Sequence, residues 1–263
     1  MTGLITTRRE DALFFVGLNR PEKRNAIHRD LLLELVDVIA AAEAERDVRA
    51  IILYGEGPVF SAGVDVAMLR GDIAGETPPR PFRALVGDMQ AALSRLEAVE
   101  KPVIAALHRY AAGLALELAL ACDLRVATTD CEVGLPEVRL GLIPDVGGTT
   151  RLVRTVGYAR AKELLMTGRM IRAEEALALG LVSEVVAPGE HLAAATRLAA
   201  VIAANAPLAV GLAKKLVDLG HGLDKHTFQQ LELFAQSILL RSEDVREGVA
   251  ALAERRPPRF TGA

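Results

Sequence analysis

Apolar residues gather in short runs at positions 12–18, 50–54, 103–107 and 124–127, each bounded by polar or turn residues. Runs of that length predict strands, and the helical patterns between them predict an α/β architecture over roughly the first 155 residues. After the Asn19-Arg20-Pro21 turn, Leu31, Leu32, Leu35, Val36, Val38 and Ile39 form one apolar stripe that ends before the polar stretch 43–47. This predicts an amphipathic helix lying over one face of the sheet. The apolar runs beginning near Ala50, Val103 and Leu124 each lead into a loop and then a helix or another strand, the rhythm of a repeated supersecondary unit. Beyond residue 155 the pattern reads almost wholly helical, with helices expected at 192–205, 207–219, 225–240 and 242–255 and no low-complexity linker before them. The stretch 72–81 carries three prolines and several charges, which predicts an exposed loop and a candidate lid.

Composition narrows the classes. A chain of 263 residues, 51% hydrophobic, can fill a sizeable interior, so disorder is not expected. The 31 basic and 34 acidic residues are mixed along the chain, and a net charge of −3 supplies no one-signed field to hold nucleic acid or an anionic membrane. The N-terminus holds two arginines and two acids before any apolar run, unlike a secretory signal, so a cytoplasmic protein is expected. Cys122 and Cys131 are too few for a disulfide framework, lack the neighbours of a zinc site, and read as packing thiols. No metal site is expected.

Within the apolar segment Ala111–Ala121 a single carboxylate, Glu117, interrupts the pattern. A carboxylate surrounded by apolar residues must raise its pKa or find hydrogen-bond partners, and such perturbed groups concentrate in active sites. Gly113 just upstream can turn the backbone and open a helix whose first N–H groups point outward, a suitable place for an oxyanion. A second loop, Gly55-Glu56-Gly57-Pro58-Val59-Phe60-Ser61-Ala62-Gly63-Val64-Asp65, follows a predicted strand, and its small residues permit close approach by a ligand. A third loop, residues 134–149, holds Glu137 and Asp145 between prolines and glycines. No G-x-G-x-x-G or P-loop pattern appears, so dinucleotide and nucleotide-triphosphate readings lack support.

Taken in this order, the three loops resemble the crotonase (enoyl-CoA hydratase/isomerase) superfamily across essentially the whole chain. Phe60-Ser61-Ala62-Gly63-Val64-Asp65 resembles that family's first oxyanion-hole motif, which implies an N–H donor at Val64. Gly113-Leu114-Ala115-Leu116-Glu117 resembles the second and implies the other donor at Leu114. Leu114 and Ala115 depart from the usual glycine triplet; a backbone donor does not depend on its side chain, but bulk at Leu114 can narrow the pocket. The resemblance places Glu117 and Glu137 at the two catalytic glutamate positions of the hydratases, and Asp145, eight residues after Glu137, where the dienoyl-CoA isomerases carry a proton-transferring aspartate. Asp145 as a cap of the helix opening at Gly147 is the structural alternative.

The implied fold is a crotonase-like spiral of β-β-α turns with a C-terminal helical region. Residues 1–200 would hold the core with its catalytic and CoA-binding loops, and residues 201–263 a helical trimerisation region. Substrate or CoA contacts are implied for Lys23, Arg24 and Ala26, for Ser61, Ala62, Gly63, Asp65 and Val66, and for Gly113. The helix holding Glu247-Gly248, Leu252 and Arg255 resembles the one that completes a neighbouring subunit's CoA site, which implies trimers or dimers of trimers.

The activity this resemblance implies is hydration of a trans-2-enoyl-CoA to a 3-hydroxyacyl-CoA, with no cofactor because CoA is part of the substrate. Δ3,5-Δ2,4-dienoyl-CoA isomerisation is the competing reaction, followed by cleavage or decarboxylation of an acyl-CoA. Some superfamily members bind RNA, but the most basic stretch here, Arg255-Arg256-Pro257-Pro258-Arg259, is brief and terminal. Acyl-chain preference and pathway are not legible in the sequence.

Overall fold

A computed structural model describes residues 3–68, 70 and 82–263 of the chain. The expected loop at 72–81 lies outside the described residues.

A six-stranded sheet organises the molecule, in the order β1-β2-β3-β4-β6-β9: β1 is Ile5–Glu10, β2 Leu13–Leu18, β3 Ala50–Gly55, β4 Val103–Leu107, β6 Leu124–Thr128 and β9 Glu184–Val186. Only β1 runs antiparallel to its neighbour, joined to β2 by a turn at Asp11, whose φ is +50°; β2 to β9 are parallel throughout. β3 and β4 are buried at every residue, as strands covered on both faces should be. Alternate side chains divide between two layers. Leu13, Phe15, Ala50, Ile52, Ile104 and Ala106 face one cluster with Ala194, Ala195 and Ala199 of α6 (His191–Ala203). Val16, Leu18, Ile51, Leu53, Val103, Ala105 and Leu107 face the other, with Leu31, Leu32, Leu35 and Ile39 of α1 (Arg29–Ala44) and Leu93 and Leu96 of α2 (Phe82–Ala98).

A second, three-stranded sheet runs β5 (Tyr110–Ala112), β7 (Glu132–Gly134) and β8 (Ile171–Arg172). The chain pivots from β4 into β5 at Arg109, in the left-handed region at φ +59°, with Tyr110 N–H donating to His108 O at 2.7 Å. β4, β5 and α3 (Leu114–Leu120) thus form one β-β-α turn of the spiral. β6 and β7 begin the next, which continues through a 3-10 turn at Pro136–Leu140 into α4 (Gly148–Thr167), kinked at Gly157. The helices α5 (Ala173–Ala178), α7 (Pro207–Gly220), α8 (Lys225–Leu239) and α9 (Glu243–Glu254) complete the chain.

Two readings need correction. β1 went unrecognised, because only Ile5 of its six residues is buried and an edge strand of polar residues shows no apolar run. The region after residue 155, read as almost wholly helical, also supplies β8 to the smaller sheet and β9 to the larger one. The helix α6 spans residue 200 and packs on the main sheet. Cys122 and Cys131 are free and buried, and burial pushes each thiol up to about 12.

Candidate active site

Two glycines set the frame of the site. Gly63 has φ +94° and Gly113 φ +57°, conformations that disfavour any side chain. A Cβ built on Gly63 would lie 2.4 Å from the Ala112 carbonyl oxygen and 3.7 Å from the Leu114 nitrogen, so the loop after β3 passes directly against the start of α3. Isolated bridges pair Ser61 with Ala111 and Ile27 with Val64. Ile27 N–H donates to Gly63 O and Asp65 N–H to Ile27 O, both at 2.8 Å, which leaves the Val64 N–H on the opposite side of its strand. Gly113 is the N-cap of α3, and Leu114 is its first residue, where no intrahelical acceptor exists. Among the described residues neither the Val64 nor the Leu114 N–H has a protein acceptor, and both residues line one cavity of about 460 Å³.

The Val64 loop is held by residues that make no contact with the cavity. Asn25, fully buried, shares its amide hydrogens among the carbonyls of Glu56, Val59 and Phe60 at 2.9, 2.9 and 3.1 Å, and its Oδ1 accepts the Arg20 N–H at 2.9 Å. Ser61 donates to Asn25 O at 2.7 Å and accepts the Gly63 N–H at 3.2 Å. Arg20 pairs with Asp65 at 2.9 Å and donates to Ala26 O at 2.6 Å. Burial pushes the Asp65 carboxyl up, but the hydrogen bonds from Arg20 and the Ala67 N–H outweigh it and hold the group below the usual carboxylate range. Ser61 and Asp65, expected against the substrate, therefore spend their polar atoms within the chain: Ser61 is fully buried, and neither lines the cavity. Ala62, Gly63, Val66 and Gly113 do line it.

Glu117 projects from the fully buried α3 and is itself 2% exposed. Its Oε2 accepts the N–H groups of Val146 at 2.9 Å and Gly148 at 2.6 Å. Burial pushes its carboxyl up to about 7; the Gly148 and Val146 N–H groups oppose that rise, and the nearby Glu137 and Asp145 add to it. Glu137 comes from the 3-10 turn, and a Cβ on Gly113 would stand 2.9 Å from its Oε1. Its Oε2 is buried and has no hydrogen-bond partner among the described residues. Burial raises the Glu137 carboxyl against the pull of its own backbone N–H, and Asp145 raises it further. Asp145 lies on the same cavity and is likewise raised by burial. It does not cap α4 as anticipated: the N-cap is Gly147 without a side-chain hydrogen bond, and Glu117 receives the Gly148 N–H.

Three carboxylates from three elements thus share one cavity with two residues whose N–H groups have no acceptor among the described residues. Leu85 and Met89 of α2 and Leu142 supply much of its apolar wall. That arrangement can grip a carbonyl oxygen, stabilise charge developing on it and move protons beside it. Among the described residues no group of three His, Cys, Asp or Glu is placed to hold a metal ion.

The other expected contacts lie outside this cavity. Lys23 and Arg24 are exposed, but Arg24 O accepts the Ala62 N–H at 3.0 Å, which sets their segment beside the Val64 loop. Leu252, 81% exposed, and Arg255, the C-cap of α9, do not join the cavity within one chain. Sequence reasoning gave Arg20, Asn25, Val146 and Gly148 no role of their own. Only the Gly147-Gly148 pair opening a helix offered a signal, since a lone Asn in a polar loop is unremarkable.

A family model described as enoyl-CoA hydratase/isomerase matches residues 8–263. The chain is 38% identical over 257 residues to the crotonyl-CoA hydratase of Syntrophomonas wolfei subsp. wolfei, covering 97% of each protein. It is 38% identical over 255 residues to the short-chain-enoyl-CoA hydratase of Clostridium acetobutylicum, covering 96% of this chain and 95% of that one. The crystal structure of an enoyl-CoA hydratase from Bacillus anthracis superposes with a TM-score of 0.93 at 36% identity, covering 99% of this chain and 100% of that chain.

Proposed function

The chain belongs to the enoyl-CoA hydratase/isomerase family, and from that premise we propose that it adds water reversibly across the 2,3 double bond of a trans-2-enoyl-CoA to give a 3-hydroxyacyl-CoA. One observation carries the reading: Val64 and Leu114, whose N–H groups have no acceptor among the described residues, line the cavity that Glu117 and Glu137 share. The thioester oxygen accepts from both N–H groups, so negative charge that develops there as water attacks C3 is stabilised where it forms. Glu117, ionised, orients the water and takes a proton as its oxygen bonds to C3. Glu137, whose carboxyl burial and Asp145 raise above the usual range, delivers a proton to C2. Proton transfer from Glu117 to Glu137 restores the starting state, and no cofactor is consumed. CoA enters only as part of the substrate.

The phosphates of CoA would meet Lys23 and Arg24, and Ala26 would flank the adenine; their place beside the Val64 loop supports this. Exposed Leu233, Phe234 and Ile238 on α8 and Leu252 on α9 support burial of the C-terminal helices against further copies of the chain, as a trimer or hexamer, with Leu252 and Arg255 reaching a neighbour's CoA. Nucleic acid is a poor fit, because Arg256 in the basic C-terminal stretch is already paired with Glu247 and Glu254 at 2.6 Å each. Among the described residues no single helix is long and apolar enough to cross a membrane. A cytoplasmic location is part of the proposal and is supported by two unpaired, buried cysteines.

Asp145 favours a second reading. A third acid on the same cavity, released from any capping role, could move a proton along a conjugated acyl chain as a dienoyl-CoA isomerase requires. Purified protein offered crotonyl-CoA should bleach the ultraviolet absorbance of the conjugated thioester, and Glu137→Gln should abolish the change. No bleaching, with an absorbance rise on a 3,5-dienoyl-CoA that Asp145→Asn removes, would replace hydration by isomerisation.

A further inference from the structure

Arg151 and Glu97 lie outside every motif identified in the sequence, yet they are tied to the loop that presents two N–H groups to Glu117. Arg151, 7% exposed on the first turn of α4, donates through Nη1 to Val146 O at 3.1 Å. Its Nε and Nη2 both reach Glu97 Oε2, at 3.2 and 2.9 Å, at the end of α2. Val146 therefore has both backbone groups engaged, its C=O by Arg151 and its N–H by Glu117. Gly147 beside it has φ +94°, and a Cβ there would stand 2.2 Å from Arg151 Nη1, so the guanidinium occupies the space beneath the turn.

We propose that Glu97 and Arg151 are positioning residues for the reaction: through Val146 they hold the turn 145–148 so that its N–H groups point at Glu117 Oε2. Neither side chain hydrogen-bonds Glu117 itself. A planar guanidinium suits this task because it can bond a carbonyl with one edge and a carboxylate with another while staying charged. The same contact binds the end of α2, whose Leu85 and Met89 wall the cavity, to the loop that orients the acid. Among the described residues the ionisable groups acting on Glu117 are Glu137 and Asp145, both acids, while Arg151 and Glu97 pair on the side of the Val146 carbonyl. Loosening the turn removes hydrogen bonds that favour the ionised carboxyl, so the midpoint of Glu117 must rise.

The role in turnover rests on the hydration reading, so the test has two readouts. The first is the pH profile of crotonyl-CoA hydration; the second is the titration of the Glu117 carboxyl by carbon NMR in the resting protein, which needs no turnover. Arg151→Lys keeps the charge but cannot span both partners. It should lower kcat on the order of tenfold with KM little changed, and move the acid limb and the Glu117 midpoint upward by about half a pH unit. Glu97→Gln, which retains an acceptor oxygen, should shift both in the same direction by less, and it carries the test if Arg151→Lys does not fold. An unmoved Glu117 midpoint in a folded variant, with the loss confined to thermal stability, overturns the positioning role even if hydration stands. A raised midpoint in a protein that hydrates no enoyl-CoA would uphold the positioning of Glu117 and reject the reaction instead.

Discussion

Glu117 Oε2 accepts the Gly148 N–H at 2.6 Å, so the carboxylate that faces the cavity is also the acceptor at the start of α4. A helix N-terminus favours the ionised form, whereas burial, helped by Glu137 and Asp145, favours the neutral one. Burial prevails and leaves the group near 7, close to where a proton can be both taken and returned.

That balance predicts two pH effects of known sign. With Glu117 required as its anion, kcat/KM should fall about tenfold per pH unit as pH drops below about 7. Stability runs the other way. A carboxyl raised from 4.5 when unfolded to about 7 when folded gives the folded chain an extra proton between those values, so the contribution of Glu117 to stability declines as pH rises through that window. Glu117→Gln carries no such proton. Its melting temperature relative to the parent should therefore be higher at pH 8 than at pH 4.5, measured by scanning calorimetry; a difference independent of pH would show that Glu117 titrates normally.

How much of this was legible depended on burial and length. The central strands could be read because both faces are covered, giving continuous apolar runs, and the C-terminal helices because their starts are marked by Pro207, Asp224 and Ser242, the last two capping N–H groups with their side chains. β7, β8 and β9 are two or three residues long, too short for any period to show. Glu117 stood out as a carboxylate in an apolar run, while Glu137 and Asp145 gained meaning only from resemblance. Arg151 and Glu97 are 54 residues apart on different helices, and nothing in the pattern of either helix signals that they meet.

Ser61 offers a test of the buried scaffold. Its hydroxyl is the acceptor of the Gly63 N–H and the donor to Asn25 O, so Ser61→Ala leaves a buried N–H without a partner. The expected loss is about 1–3 kcal/mol of stability, read from denaturant unfolding. Hydration should slow less than with a direct change at the oxyanion donors, since Val64 keeps its own N–H. A Ser61→Ala protein as stable as the parent would mean that the Gly63 N–H has found another acceptor and that Ser61 is not what holds the turn.

Val64 separates folding from chemistry most cleanly. Because its N–H has no acceptor among the described residues, replacing it with proline removes no internal hydrogen bond seen there, and the bridge to Ile27 uses Gly63 O and the Asp65 N–H instead. Val64→Pro should thus retain the far-ultraviolet circular dichroism of the parent. Hydration should fall on the order of a hundredfold or more, the usual consequence of deleting one oxyanion donor. The loss should fall on kcat rather than on KM, since the donor matters most when charge has accumulated on the thioester oxygen. A folded Val64→Pro protein with full activity would remove Val64 from the oxyanion hole and leave Leu114 without the partner that the cavity geometry gives it.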